Sequence, residues 1–145
     1  MKNLQIAIGS DHAGFELKSL VKEWLDPQVE VLKDLGTNSE ESVDYPDFAH
    51  AVAGEVEKGN YDLGILICGT GIGVDMTANK HQGIRSALCW NKEISKLAKT
   101  HNNANIISLP GRFITFEEAK EILDTFFNTN FEGGRHSRRI NKISC

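Results

Sequence analysis

Short apolar runs alternate with longer amphipathic segments along the whole chain. The runs have the length and aliphatic content of buried β-strands, and they cover residues 4–9, 29–35, 62–68, 84–89 and 105–109. Between them apolar residues recur every three or four positions, which predicts helices over about 13–25, 47–58, 74–80, 92–101 and from 115 onward. The run at 62–68 is almost wholly apolar, which is typical of a strand buried on both faces of a parallel sheet.

This alternation predicts one α/β domain over residues 1–145, a doubly wound, Rossmann-like sheet of five parallel strands with helices on both faces. We expect the strand order 2-1-3-4-5, the common arrangement at this size. In that order the carboxyl ends of strands 1 and 3 flank the switch point, where open α/β sheets bind their ligands.

Composition narrows the class of protein. A net charge of −4 argues against a nucleic-acid-binding protein, whose surface is usually basic. The longest apolar run is far too short to span a bilayer, and we expect neither export nor a membrane partner. Three widely spaced cysteines, Cys68, Cys89 and Cys145, fit no disulfide framework, so a reducing, cytoplasmic location is expected.

The loop after the third strand reads CGTGIG, from Cys68 to Gly73. Three glycines leading into a helix allow backbone N–H groups to converge on an anionic atom. A thiol beside a helix N-terminus is in a position to react as a thiolate. The alternative is a buried cysteine that simply precedes a tight turn.

The loop after the first strand reads GSDHAG, from Gly9 to Gly14. Its neighbouring Asp11 and His12 suit sugar hydroxyls and a phosphate, although they are equally explained by a helix N-cap and a solvated neighbour. Both loops follow strands that should flank the switch point. The sequence therefore predicts one site built from the two loops together.

Further candidates lie near the carboxyl end of the chain. His101 ends the fourth predicted helix, where it is a candidate acid–base group or only a favourable charge for the helix dipole. Arg135 and Arg139 are four residues apart, so one helical turn would point both towards a phosphate, unless the tail is simply basic and solvated. Arg112 is either a third phosphate ligand or a surface charge.

Taken in order, these loops resemble those of the ribose-5-phosphate isomerase B family, which also includes the galactose-6-phosphate isomerase subunits. The resemblance runs nearly end to end, from GSDHAG at 9–14 to GGRHSRR at 133–139. Between them lie DYP at 44–46, CGTGIG at 68–73, ANK at 78–80, GIR at 83–85 and HNNAN at 101–105.

The resemblance implies an aldose–ketose isomerase that interconverts ribose 5-phosphate and ribulose 5-phosphate through an enediolate. It implies a homodimer or a dimer of dimers with shared active sites, and neither a metal nor a cofactor. Allose 6-phosphate or galactose 6-phosphate remains the alternative substrate. The five histidines also lack a metal-ligand spacing such as H-x-x-x-H.

The resemblance also implies residue roles. Cys68 matches the base that removes the C2 proton, and His101 matches the acid that opens the furanose ring, with Asp11 as its helper. The expected anion hole around the enediolate consists of Thr70 and the amides of Gly69, Gly71, Ile72 and Gly73. Two positions match substrate contacts, Tyr45 and Asn102. Phosphate is expected on His12, Arg112, Arg135 and Arg139, with the partner subunit donating His101, Asn102 and Arg112.

Two rival classes of function remain. A dinucleotide-dependent oxidoreductase would carry G-x-G-x-x-G after its first strand, whereas the glycine loop here follows the third. A non-catalytic phosphosugar or nucleotide sensor is the other, because a fold alone does not define function. Three residues depart from the family pattern and bear on substrate preference: Asp75, Trp90 and Pro110.

Overall fold

The computed structural model describes residues 1–145 and contains a single five-stranded parallel sheet. The strands, β1 to β5, are Gln5–Ser10, Val31–Asp34, Leu63–Cys68, Ser86–Leu88 and Ile106–Pro110. The helices, α1 to α6, are Phe15–Leu25, Tyr45–Glu57, Ile72–Ala78, Lys92–Thr100, Phe116–Phe127 and Arg135–Ile140, with one 3₁₀ turn at Asp26–Gln28. The predicted α/β class is confirmed, and none of these helices combines the length and apolarity that crossing a membrane requires.

The strand order is β2-β1-β3-β5-β4, so the predicted order 2-1-3-4-5 is wrong in its last two places. The physical reason is burial. Every residue of β5 is buried, whereas the three residues of β4 are only half-buried. The longer apolar strand therefore pairs with β3 in the interior, and the short strand takes the edge. Because β1 still pairs with β3, the ends of these two strands remain neighbours.

Two apolar layers cover the two faces of the sheet. One contains Ile67 with residues of α1, α4 and α5, and the other contains Cys68 with residues of α2 and α3. Successive strand residues point to opposite faces, which places the Cys68 side chain on the α2–α3 side. The capping box predicted at Thr115 and Glu118 is present at the start of α5.

A fully buried lysine ties the segment after β2 to the end of β1. The Lys18 ammonium donates to Asp34 Oδ1 at 2.7 Å and to the Thr37 carbonyl. The Thr37 amide in turn donates to the Ser10 carbonyl, and the Ser10 amide donates to the Gly36 carbonyl. This buried ion pair holds the edge of the sheet from which the loops of the candidate site emerge.

Candidate active site

The carboxyl ends of β1, β3 and β5 lie together at one end of the sheet, and most of the predicted site residues lie there. We call this group the strand-end half: Asp11, His12, Tyr45, Cys68, Gly69, Thr70, Gly71, Ile72, Gly73 and Arg112. At its centre the Cys68 Sγ accepts the Gly71 N–H at 3.1 Å. The Cys68 residue is 4% exposed, so the sulfur lies between the apolar layer and the glycine loop.

Gly71 turns the chain from β3 into α3. It has φ +73°, in the left-handed region where side chains are strained, and an added Cβ would lie 2.5 Å from Leu88 Cδ1. One residue later, the Ile72 amide donates to Thr70 Oγ1 at 3.2 Å. The glycine loop therefore directs one backbone N–H, that of Gly71, at the sulfur, and the wider anion hole stays a prediction.

The loop after β1 packs against the end of β3. The Asp11 amide donates to the Ile67 carbonyl at 3.2 Å, and the Asp11 carboxylate accepts the Gly14 N–H at 3.0 Å. A Cβ on Gly14 would lie 2.5 Å from the Ile67 oxygen, so glycine is required for this close approach. His12 Nδ1 accepts the Val43 amide at 3.2 Å, which holds the ring against the loop before α2. The two loops predicted to share a crevice do lie side by side.

Tyr45 and Arg112 complete the strand-end half. The Tyr45 ring covers Gly73, because a Cβ there would lie 2.7 Å from Tyr45 Cε2. The Arg112 amide donates to the Gly69 carbonyl at 3.0 Å, and its Nη1 would be 3.2 Å from a Cβ on Gly69. Arg112 thus reaches the glycine loop of its own chain, contrary to the expectation that the partner donates it. The reason is that the β5–α5 turn lies directly beside the end of β3.

The remaining predicted residues lie at the opposite end of the sheet, where the strands begin, and we call them the helix-end half: His101, Asn102, Arg135 and Arg139. The Arg85 side chain, just before β4, donates to the carbonyls of Asn102 and Asn103, which precede β5. The pairing of β3 with β5 runs from Gly64 and Ile106 to Cys68 and Pro110, so the two ends of the sheet are roughly 13 Å apart along the strands. A single chain does not bring the two halves together.

His136 belongs to the helix-end half, although we did not predict it. Its ring stacks on His101 with centroids 4.3 Å apart and planes 16° from parallel. Burial lowers the pKa of His136, and the neighbouring His101 and Arg135 lower it further. The sequence did contain a signal, because His136 lies between Arg135 and Arg139 on the turn expected to carry the phosphate ligands.

A possible metal-ligand group also lies in this half. Donor atoms of His101, Glu132 and His136 all lie within 4.8 Å of one another, a cluster that sequence spacing does not show. A histidine ligand holds its metal in the plane of its ring, and two nearly parallel stacked planes share no such point. The charges of Arg135 and Arg139 disfavour a cation as well. The residues in this arrangement do not fit a metal.

A family model described as Ribose/Galactose Isomerase matches residues 6–143. The chain belongs to this family. A crystal structure of ribose 5-phosphate isomerase B from Thermotoga maritima shares 53% identity over 97% of both chains, with a TM-score of 0.95. Ribose-5-phosphate isomerase B from Mycoplasma genitalium, solved with bound ribulose-5-phosphate, shares 48% identity, covers 99% of this chain and 95% of that one, and has a TM-score of 0.93. The Escherichia coli enzyme of the same name is 43% identical over 97% of this chain and 95% of its own.

The predicted family and fold are confirmed. The structure also shows where the three residues that depart from the family pattern lie. Trp90 and Pro110 line one shallow apolar cleft beside Thr70 and Ile72. Asp75 points neither to solvent nor to the sulfur, because its carboxylate accepts a hydrogen bond from Ser86 Oγ at 2.7 Å.

Proposed function

We propose that this protein interconverts ribose 5-phosphate and ribulose 5-phosphate. The observation that carries the proposal is the Cys68 sulfur held at the Gly71 amide, next to the loop that contains Asp11, in a member of the ribose/galactose isomerase family. A relative at 48% identity binds the ketose product of this reaction. The sulfur and the glycine loop match what an enediolate mechanism requires: a base next to donors for an oxyanion.

The reaction starts with ring opening: the bond between C1 and the ring oxygen breaks, His101 donates a proton to that oxygen, and Asp11 accepts the proton of the anomeric hydroxyl. The Cys68 thiolate then removes the C2 proton of the open-chain aldose. The electron pair of the broken C–H bond forms the C1–C2 double bond, and the carbonyl oxygen becomes an enediolate oxygen facing Thr70 and the loop amides. Transfer of the O2 proton to O1 and return of the proton from the Cys68 thiol to C1 give the ketose and restore the thiolate. This sequence needs no net oxidant or reductant.

The active site requires two copies of the chain. Cys68 and His101 lie at opposite ends of the sheet, so the strand-end half of one protomer must meet the helix-end half of another. Around the strand-end half, large apolar side chains are exposed: Ile72 at 46%, Met76 at 64%, Trp90 at 52% and Phe113 at 73%. Exposed apolar residues grouped in this way are typical of an interface. A homodimer with two-fold symmetry would form two such sites.

Phosphate recognition is shared between the halves. His12 and Arg112 belong to the strand-end half, and Arg135 and Arg139 start on successive turns of α6 in the helix-end half. Arginine forks bind phosphate oxygens in pairs, so the substrate phosphate would connect the two protomers.

All three cysteines are free thiols, which supports the proposed cytoplasmic location.

The direct test uses purified protein, ribose 5-phosphate and excess EDTA, with ribulose 5-phosphate followed over time. We expect turnover that chelation leaves unchanged. Absence of ribulose 5-phosphate at any enzyme concentration would contradict the proposed reaction, and loss of activity that returns with added metal would contradict the metal-free mechanism.

Galactose 6-phosphate and allose 6-phosphate are the alternative substrates, because the family description includes galactose. Measuring kcat/KM for ribose 5-phosphate, galactose 6-phosphate and allose 6-phosphate identifies the preferred substrate. We expect ribose 5-phosphate to have the largest value, since this one chain carries both the thiol and the two tail arginines. A larger value for either hexose phosphate would reassign the substrate but not the chemistry.

A further inference from the structure

Asp75 is the unusual acidic residue of α3, and its surroundings form a chain of hydrogen bonds that reaches the candidate base. The Ser86 hydroxyl donates to Asp75 Oδ1 at 2.7 Å, and it lies 3.0 Å from the hydroxyl of Ser108, which is fully buried. Either hydroxyl can be the donor in the contact between the two serines. The chain therefore runs from β5 through β4 to α3.

The same helix is fixed to β4 a second time, one turn further on. The Asn79 side chain accepts the Ser86 amide at 2.8 Å and donates to the Ser86 carbonyl at 2.9 Å. Asp75 and Asn79 are four residues apart and thus lie on one face of the helix. Together they attach a helix of only seven residues to the short edge strand.

On its other side Asp75 is linked to the sulfur through the backbone. The Asp75 amide donates to the Gly71 carbonyl at 3.2 Å, and the Gly71 amide donates to Cys68 Sγ at 3.1 Å. A Cβ on Gly71 would lie 2.5 Å from Leu88 Cδ1 and 3.1 Å from the Leu109 oxygen, so this residue fits closely against β4 and β5. A shift of α3 would therefore move the donor that faces the sulfur.

We propose that Asp75 is a positioning residue, which holds the Gly71 N–H on the Cys68 sulfur by attaching α3 to Ser86 and Ser108. This inference rests on the proposed function for its effect on turnover. Asp75 does not touch the substrate, and its role requires a hydrogen-bond acceptor rather than a negative charge. Burial raises the pKa of Asp75, against the effect of the two serine hydroxyls, which agrees with a mainly structural use of the carboxyl group.

The kinetic test compares Asp75→Ala with Asp75→Asn, which keeps an acceptor oxygen for Ser86. We expect Asp75→Ala to lower kcat about tenfold to a hundredfold, because small displacements of catalytic groups have effects of that size. KM should change little, since the phosphate ligands lie elsewhere. Asp75→Asn should restore kcat to within about threefold of wild type. An Asp75→Asn variant as slow as Asp75→Ala would overturn the proposal, because it would show that the charge matters.

The matched control is Ser95→Ala, which removes a buried hydroxyl that donates to the Ile122 carbonyl on the other face of the sheet. It should destabilise the fold to a similar extent without affecting kcat. The second readout is the hydrogen-exchange rate of the Gly71 amide, which Asp75→Ala should raise and Ser95→Ala should not. This readout does not depend on the reaction. If the wild type isomerises no sugar phosphate, the proposed function fails, and equal Gly71 exchange in the two variants would overturn the positioning role separately.

Discussion

The two halves of the proposed active site are held in different ways. In the strand-end half, backbone amides fix the polar side chains: Gly71 binds the Cys68 sulfur, Gly14 binds the Asp11 carboxylate, and Val43 binds the His12 ring. In the helix-end half, side chains hold one another, as His101 does by stacking on His136. The difference predicts that the strand-end half is held by its own chain, and that the helix-end half, in the dimer we propose, is completed by contacts with a partner protomer.

The comparison assigns the chemical step to the strand-end half. Cys68→Ala should lower kcat by about a thousandfold, because it removes the base that takes the C2 proton. Binding of ribose 5-phosphate, measured by calorimetry, should remain. Cys89→Ala is the matched control, since Cys89 is buried in the opposite layer and its burial raises the pKa of the thiol to about 12. A Cys68→Ala variant with wild-type kcat would remove the base assignment.

Apart from the ring-opening acid His101, the helix-end half should contribute mainly binding of the phosphate. Arg135→Ala and Arg139→Ala should each raise KM for ribose 5-phosphate about tenfold or more, the usual cost of a lost charge-assisted hydrogen bond. Arg138→Ala provides the control, because Arg138 is the third arginine of α6 and, unlike Arg135 and Arg139, is not among the charges that lower the pKa of His136. If the three variants share one KM, the phosphate does not bind this helix.

The two halves should also respond to different pH ranges. The folded-state pKa of His136 is below its unfolded value, so the fold binds fewer protons and the helix-end half should lose stability as pH falls below about 6.5. Asp34 behaves differently. Burial would raise its pKa, but hydrogen bonds from Lys18 and Lys22 lower it, so its contribution is present above about pH 4 and lost only below that.

Hydrogen-exchange protection at a series of pH values measures this contrast, which is the smallest of the expected effects. Protection of α6 should fall between about pH 6.5 and 5 while that of β1 is retained, and His136→Asn should abolish the early loss. Simultaneous loss in α6 and β1 would mean that the two halves do not differ in this way.

Much of this architecture could be predicted from the sequence. The apolar runs and their spacing indicated five strands, and the glycine loop marked the end of β3 beside the loop after β1. The order of β4 and β5 was missed, because periodicity does not report which strand a buried neighbour will choose. Relative burial decides it, and only the folded sheet shows that all of β5 is covered.

Side-chain contacts between residues far apart in the chain could not be predicted from the sequence either. His101 and His136 are far apart in sequence, and no local pattern shows that their rings stack. The same holds for Lys18, whose helical spacing places it between apolar residues but whose partner Asp34 lies on another element. Asp75 was noticed as unusual, yet its link to Ser86 depends on the pairing of β4 with β5.

Mixing two inactive variants tests most directly whether the site is built from two protomers. Cys68→Ala and His101→Asn are each expected to be nearly inactive alone, because each lacks one catalytic side chain in every site. When the two chains are co-refolded, a mixed dimer has one site with both residues intact, so roughly a quarter of wild-type activity should return. Activity no greater than the sum of the two separate variants would contradict a shared site and the account built on it.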